Sequence, residues 1–313
     1  MTADTKISAP FKLYKTWLMD GGRWNHFAAR KGDVVVCTYP KSGTTWMLRI
    51  LALLFYDTTE AIPLDKTFPW WEFRLGRSVE ELAVDFGMRT GRRAVKSHLP
   101  FDGIPFDEKL KYIHVGRDGR DVCLSYHNHC IGFLPHVLDK MSSIGLADEM
   151  IQAPYPNVQS NPADFFHDWL TKPALPSEQD GTPFLSYFDF ELSYWQNRER
   201  KNLLFVHYND LLANLVYEME RVADFLEMRV SRAKLTVLAE AASFASMSRD
   251  GAAYLPTNSQ DFRDGAKRLF NKGEIGRWKG IFRPADLELF ESKLRSTFSP
   301  HAAEWLLRGA GDI

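Results

Sequence analysis

The sequence predicts an α/β fold: a single domain of 313 residues with a central, mostly parallel sheet flanked by helices and a P-loop-like nucleotide-binding turn at the sheet edge. Three observations carry this prediction. Apolar and β-branched runs at 34–38, 110–115 and 203–208 read as buried strands. Segments with helical spacing alternate with them, the pattern that covers both faces of a parallel sheet. The turns at 39–45, 96–98 and 117–125 collect cations, hydroxyls and a histidine, and in an open α/β sheet such strand ends converge on one crevice.

Composition sets the outer limits. With 45% hydrophobic and 25% charged residues the chain is ordinary globular protein, long enough for a large core. A net charge of −1 gives no global attraction to nucleic acid or to an anionic membrane, so basic residues must act locally and no nucleic-acid partner is expected. Cys37, Cys123 and Cys130 are an odd number, which suits free thiols in a reducing compartment better than a disulfide framework. The longest apolar run, Ile50 to Tyr56, falls far short of the ~20 residues that span a bilayer, and no leader pattern opens the chain. A cytoplasmic location is the expectation.

Taken in order, residues 1–10 read as a flexible tail. Residues 11–33 are rich in aromatics (Phe11, Tyr14, Trp17, Trp24, Phe27), which suggests a first helix packed on the sheet or the wall of a pocket. Val34 to Thr38 is the first strand. Tyr39-Pro40-Lys41-Ser42-Gly43 is a turn, with Pro ending the strand and Gly permitting a tight fold. Thr44-Thr45 opens an apolar helix from Trp46 to Tyr56. Strand, tight loop and helix N-terminus together make an anion site, because unpaired N–H groups and the helix dipole face the ligand. The order differs from a Walker loop: Lys41 precedes Gly43, and no Gly lies four or five residues upstream.

Residues 57–71 form a loop ending in Phe68-Pro69-Trp70-Trp71, either a cleft wall or core. Residues 78–86 have helical spacing with an acidic face. Arg92 to Lys96 is a short strand, and Pro100 keeps Leu99 extended, so His98 sits where a strand leaves the sheet. After the strand 110–115, Gly116-Arg117-Asp118-Gly119-Arg120-Asp121 repeats the turn-to-helix logic. Arg117 is suited to bidentate phosphate binding, Ser125 lies one turn on, and Asp121 orients the turn. His127 and His129 are spaced by two, but no further ligand accompanies them, so no metal is expected. Residues 132–165, with Pro135, Pro154, Pro156 and Pro162, are expected to be a mobile lid, and 261–280, rich in Gly, Lys and Arg, a second mobile loop. Residues 171–183 are a further Pro/Gly insertion. Segment 184–198 has helical spacing, Tyr208 closes the strand 203–208, 214–227 is an amphipathic helix and 284–298 a terminal one.

Tyr39-Pro40-Lys41-Ser42-Gly43-Thr44-Thr45-Trp46 resembles the 5′-phosphosulfate loop of sulfotransferases that use 3′-phosphoadenosine 5′-phosphosulfate (PAPS), most closely the soluble cytosolic type. The resemblance extends through 96–126, 183–212, 242–247 and 269–279; segment 132–165 lies outside it. It implies PAPS as co-substrate, its desulfated product PAP, no metal, and transfer of the sulfuryl group to a hydroxyl, or an amine, of a small or lipid-like acceptor. Under this resemblance His98 is the catalytic base, Lys41 neutralises the leaving 5′-phosphate and Lys96 helps hold the transferring group. Lys41, Ser42, Gly43, Thr44, Thr45 and Trp46 form the 5′ loop, Arg117 and Ser125 bind the 3′-phosphate, and Tyr208 contacts the nucleotide. Ser243, Phe244 and Met247 belong to the adenine side, although Ala242 lacks the hydroxyl common there. Lys272 and Gly273 open a second 3′-phosphate motif, Lys272-Gly273-x-x-Gly276-x-Trp278-Lys279, in which Asn271 stands where an Arg is usual; Arg268 or Lys267 are candidates to replace that cation. A homodimer is left open, since the short dimer motif of soluble animal members has lost its central pair at Arg283-Pro284.

The two anion sites, at the turns 39–45 and 117–125, match a nucleotide phosphorylated at both its 5′ and 3′ positions. Two other classes are weighed against this reading. A Mg-dependent P-loop kinase needs the Walker order and a metal-binding acid. A catalytically silent nucleotide-binding scaffold is expected to have lost His98 or Lys41, and both are present. The aromatics Phe68, Trp70, Trp71, Phe133 and Tyr155 point to a phenol, alcohol or lipid-like hydroxyl. With the unperturbed imidazole pKa of about 6.5, the rate should fall at acid pH as His98 takes up a proton.

Overall fold

The computed structural model describes residues 10–176, 178–270 and 272–309. The expected tail, apart from Pro10, and Asn271 lie outside the described residues. Four strands, β1 (Val34–Cys37), β2 (Ala94–Ser97), β3 (Lys111–Gly116) and β4 (Leu203–His207), form a wholly parallel sheet in the order β2-β1-β3-β4. The first connection steps to one side of β1 and the next to the other, which opens a crevice at the carboxyl ends next to β1.

Every residue of β1 is buried, and successive side chains go to opposite faces. Val34 and Val36 join one apolar cluster, with Leu48, Leu51, Met219, Leu235 and Leu238 from helices Thr44–Tyr56, Leu215–Phe225 and Arg232–Ala241. Val35 and Cys37 join the other, dominated by aromatics such as Tyr39, Trp169, Tyr187, Phe190 and Tyr194. At the entry to the sheet the Arg93 guanidinium donates to both carboxylate oxygens of buried Asp33, tying β1 to β2.

The prolines of 132–165 prove to be helix starts rather than loop markers. Pro135 and Pro162 each occupy the first turn of a helix, Pro135–Ala147 and Pro162–Thr171, where the fixed φ is already helical and no N–H is missed. The expectation of a loop without secondary structure is corrected accordingly. Val137, Met141 and Gly145 share the buried face of the first helix, and a Cβ at Gly145 would collide with the carbonyl of Ala153 and the indole of Trp17 at 2.3 Å. Residues 148–161 are irregular. Among the described residues of 261–280, Asp261 ends the 3-10 helix Asn258–Asp261, Ala266–Leu269 is one helical turn, and the rest is irregular.

The helix expected within 11–33 is also corrected. Only a 3-10 helix, Gly21–His26, forms there, because Gly21-Gly22 disfavours a longer helix. Trp17 and Trp24 are nonetheless core, whereas Phe11 is 87% exposed. The C-terminal helix Pro300–Arg308 was not read from the sequence; its Trp305 ring lies where a Cβ on Gly116 would stand, 2.4 Å away. Among the described residues no helix is long and apolar enough to cross a membrane.

Candidate active site

Three polar turns leave the carboxyl ends of β1, β2 and β3 and, with Tyr208 after β4, line one cavity of about 270 Å³. The turn after β1 is strained in the way an anion cradle requires. Lys41 has φ 74° and Gly43 φ 117°, both left-handed, a conformation that costs a non-glycine residue of order 1 kcal/mol or more. Gly43 also lies against Tyr208, whose ring is 3.1 Å from an added Cβ. Helix Thr44–Tyr56 starts directly after it with no side-chain cap, so its first N–H groups remain turned toward the cavity. Ser42 Oγ is buried and has no hydrogen-bond partner among the described residues. Thr44 Oγ1 meets Thr38 Oγ1 at 2.6 Å.

At the end of β2, His98 is 7% exposed and its Nδ1 lies 2.7 Å from the carbonyl oxygen of Thr38. A carbonyl only accepts, so Nδ1 carries the proton and Nε2 keeps its lone pair. Burial, then the neighbouring Lys96, drive the imidazole pKa down to about 3. The ring is therefore neutral across the ordinary pH range, which corrects the expectation of an acid limb near the unperturbed value. Buried Glu72 fixes the strand end by accepting from His98 N at 2.6 Å and from Ser97 Oγ at 3.0 Å. Segment 69–71 reaches this place because Lys96 N donates to Pro69 O and Trp71 N to Lys96 O, extending the exposed edge of β2. The 68–71 cluster thus divides: Phe68 and Trp70 line the cavity, while Trp71 is core. The Trp70 ring lies edge-on to His98 at 4.9 Å, with Lys96 Nζ 5.0 Å from its centre.

Lys41 and Lys96 both face the cavity, and both have their ammonium pKa lowered to about 8, chiefly by burial and, for Lys41, by the adjacent Arg117 as well. At the end of β3, Arg117 donates from Nη1 to Lys41 O at 3.0 Å and from Nη2 to Glu274 O at 3.3 Å, while its Nε is buried without a partner among the described residues. Its guanidinium sits 4.0 Å from the centre of the Tyr208 ring. The turn itself is capped by Asp118, which accepts from Arg120 N, so the expectation that Asp121 orients it is corrected: Asp121 reaches a distant segment instead. It accepts from the backbone N–H of Gly276 at 2.7 Å and of Arg277 at 3.2 Å, pinning the distant Gly-rich loop over Arg117.

Of the residues expected at the site, Lys41, Gly43, Thr44, Thr45, Trp46, Lys96, His98, Arg117, Ser125, Tyr208, Phe244, Met247, Lys272 and Gly273 line this one cavity. Ser42 lies beneath the loop, and Ser243 is spent capping helix Phe244–Arg249 by accepting from Ser246 N. Trp46 donates from its indole to Ala242 O at 2.9 Å and packs on Tyr208, closing the apolar end. Arg268 is not a substitute cation: it donates to Asn128 and pairs with Asp264. Arg277 lines the cavity instead. Sequence reasoning missed the positioning roles of Thr38 and Glu72 and the cavity position of His129, whose neighbours become visible only in three dimensions.

The fold and site together define a P-loop-like α/β protein whose crevice gathers cations and hydroxyls from two strand-to-helix turns around a buried histidine. Residues 31–300 match the sulfotransferase domain family, and the chain belongs to that family. It is a sulfotransferase, and PAPS is the co-substrate of the family. Among similar proteins, a glycolipid sulfotransferase of Mycobacterium tuberculosis is 27% identical over 95% of this chain and 94% of its own length, and mouse sulfotransferase 1B1 is 26% identical over 96% and 94%. Among solved structures, mouse sulfotransferase SULT7A1 complexed with PAP superposes with a TM-score of 0.65 at 20% identity over 90% of both chains. Retinol dehydratase in complex with androsterone and PAP gives 0.68 at 21% identity over 93% and 89%.

Proposed function

We propose that this crevice binds PAPS and that His98 is the base which takes the proton from an acceptor hydroxyl as the sulfuryl group passes to it. The observation that carries the assignment is the His98 geometry: Nδ1–H is held by Thr38 O, so Nε2 is left free as a proton acceptor beside two cavity cations. The donor fits the residues present. Arg117, which lines the cavity, keeps a buried Nε without a partner among the described residues, a donor suited to a phosphate oxygen. A side chain at Gly43 would run into Tyr208, and one at Gly273 into Phe244 at 2.5 Å.

In this reading the loop N–H groups, Ser42, Thr44, Thr45 and Lys41 hold the 5′ end. Arg117, Ser125 and Lys272 hold the 3′-phosphate, and Trp46, Tyr208, Phe244 and Met247 pack around the base. The bond from sulfur to the 5′-phosphate oxygen breaks, the bond from sulfur to the acceptor oxygen forms, and the acceptor proton goes to His98. Lys41 and Lys96 stabilise charge on the leaving phosphate and the transferring group, which is catalysis by positioning and electrostatics. Phe68, Trp70, Phe73, Phe133, Phe184 and Phe262 wall the remaining space, which favours a hydroxyl on an aromatic or lipid-like skeleton. We also assign a cytoplasmic site of action, in keeping with three free, buried thiols.

The direct test is transfer of labelled sulfate from PAPS to a panel of hydroxyl acceptors in the presence of EDTA. Product formation supports the assignment. Activity that needs Mg²⁺ and ATP would instead support a kinase.

Two binding predictions follow from the geometry. Arg117→Ala is expected to weaken PAP binding by ~1.5–3 kcal/mol, the scale of a hydrogen bond to a charged group; unchanged affinity by calorimetry would remove Arg117 from the site. PAP affinity is also expected to fall as pH rises above about 8. Free Lys41 and Lys96 lose their protons there, and a bound phosphate raises their pKa, so binding above that pH must take up protons. The loss approaches roughly tenfold per lysine per pH unit. Titrations between pH 7 and 9.5 in buffers of different ionisation heat measure both the slope and the proton uptake; a flat profile would place the lysines outside contact with the nucleotide.

A further inference from the structure

Among the polar residues of the cavity that neither the nucleotide nor the transfer step uses, His129 stands out. His129 lies on helix Gly119–Cys130, one turn past Ser125, and lines the same cavity as His98 and Trp70. Its ring is enclosed by aromatics: Phe262 at 4.6 Å, Phe133 at 5.0 Å and Tyr126 at 6.1 Å. Nδ1 is buried and finds no hydrogen-bond partner among the described residues. Its neighbour two positions away behaves differently, since His127 Nε2 is bonded to Gln159 O at 3.0 Å. Folded proteins rarely leave a buried polar atom unpaired, because it forgoes its bonds to water without replacement. Because His129 lines the cavity, a ligand bound there can supply the partner.

The ring is also uncharged. Burial, reinforced by Lys41, Lys96, His98 and Arg268, holds its pKa well below the usual imidazole value. A neutral imidazole donates from one nitrogen and accepts at the other, so it can meet a hydroxyl in either sense. Asp261, also in the cavity wall and next in the chain to Phe262, has its carboxyl pKa raised by burial and adds a second polar atom to the lining.

We infer that His129 is a specificity-determining residue that binds a second polar group of the acceptor, so that the preferred substrate is an aromatic or lipid-like molecule carrying a hydroxyl or carbonyl besides the hydroxyl that is sulfated. This rests on the sulfotransferase reading of the cavity. A phenylalanine at this position would continue the aromatic wall; a histidine with an orphan nitrogen selects against acceptors that leave it unpaired. A site built around a hydrogen bond discriminates mainly by penalising the analogue that lacks it.

The test compares 2-naphthol with its isomeric dihydroxynaphthalenes, as ligands of the PAP-loaded protein and as acceptors of labelled sulfate, in wild type, His129→Phe and His129→Asn. Wild type should prefer at least one diol by roughly tenfold in affinity, well beyond the twofold that two equivalent hydroxyls supply statistically. His129→Phe should reduce the preference to about that twofold, and His129→Asn, which keeps a polar atom near the Nδ1 position, should restore part of it. PAP affinity, measured separately on each variant, reports that the fold and donor site are intact. A wild-type protein without diol preference, or a His129→Phe variant that retains it, overturns the role of His129. Failure of the wild type to bind PAP overturns instead the donor reading on which it rests.

Discussion

His98→Ala is expected to cut turnover by roughly 10²-fold or more while leaving PAP affinity nearly intact, the signature of a positioned base that touches the acceptor and not the nucleotide. The structure supports the direction of both effects. Nδ1–H is committed to Thr38 O, which leaves Nε2 as the accepting nitrogen, and the ring lies edge-on to Trp70 in a cavity that Lys41 and Lys96 also line. No acid limb is expected at the unperturbed imidazole value. A histidine pKa lowered by burial keeps the base in its active, neutral form until the pH falls well below 6.5, and in the free protein the ring titrates at about 3. The anionic donor counters the positive field of Lys41 and Lys96 and so moves this value part of the way back, while the burial remains. Single-turnover transfer with saturating PAPS, wild type against variant, from pH 5 to 8, reads both quantities. A variant that keeps the wild-type rate at neutral pH would make His98 structural, and a wild-type limb centred at 6.5 would show that the ring is solvated during turnover.

Lys41→Ala is expected to lower both nucleotide affinity and turnover, in contrast to His98→Ala. In the proposed reading Lys41 contacts the 5′ end of the donor, where charge collects on the leaving phosphate, so its loss is felt in the ground state and more strongly in the transition state. The expected losses are ~1.5–3 kcal/mol in PAP binding and roughly 10²–10³-fold in transfer rate. The substitution is a clean one. Residue 41 is left-handed with either side chain, so backbone strain is common to both, and the carbonyl that accepts from Arg117 is retained. Pre-steady-state transfer combined with calorimetric PAP titration measures the two effects separately. A drop in affinity alone would assign Lys41 to binding, and an unchanged protein on both counts would remove it from the site.

Local chemistry was enough to reveal the strand, tight turn and helix start around Lys41. A β-branched strand, a Pro-Lys-Ser-Gly turn and a hydroxyl-rich helix start each depend on neighbours within a few residues, so Lys41, Gly43, Thr44 and Thr45 could be placed before any contact was known. The mostly parallel sheet followed from alternation, and His98 and Arg117 were candidates because they stand at strand ends, while their roles came from the family resemblance. The prolines of 132–165 were ambiguous for a physical reason. A proline is equally at home in a loop and in the first turn of a helix, and what makes Pro135–Ala147 a helix is the burial of Val137 and Met141 and the close approach permitted by Gly145.

What only the tertiary structure decided is which distant groups meet. Trp70 comes to His98 because its segment pairs with the edge of β2, 26 residues later in the chain at Lys96. Asp121 holds Gly276 across 155 residues, and Thr38 sets the tautomer of His98 across 60. The pKa values follow the same logic. A sequence states that His98, Lys41 and Lys96 are titratable, but desolvation and the field of neighbouring charges exist only once the chain has closed around them. His129 shows the division most plainly: read along the chain it was half of an incomplete metal spacing, and only folding places it in an aromatic cavity with a buried nitrogen that has no partner among the described residues.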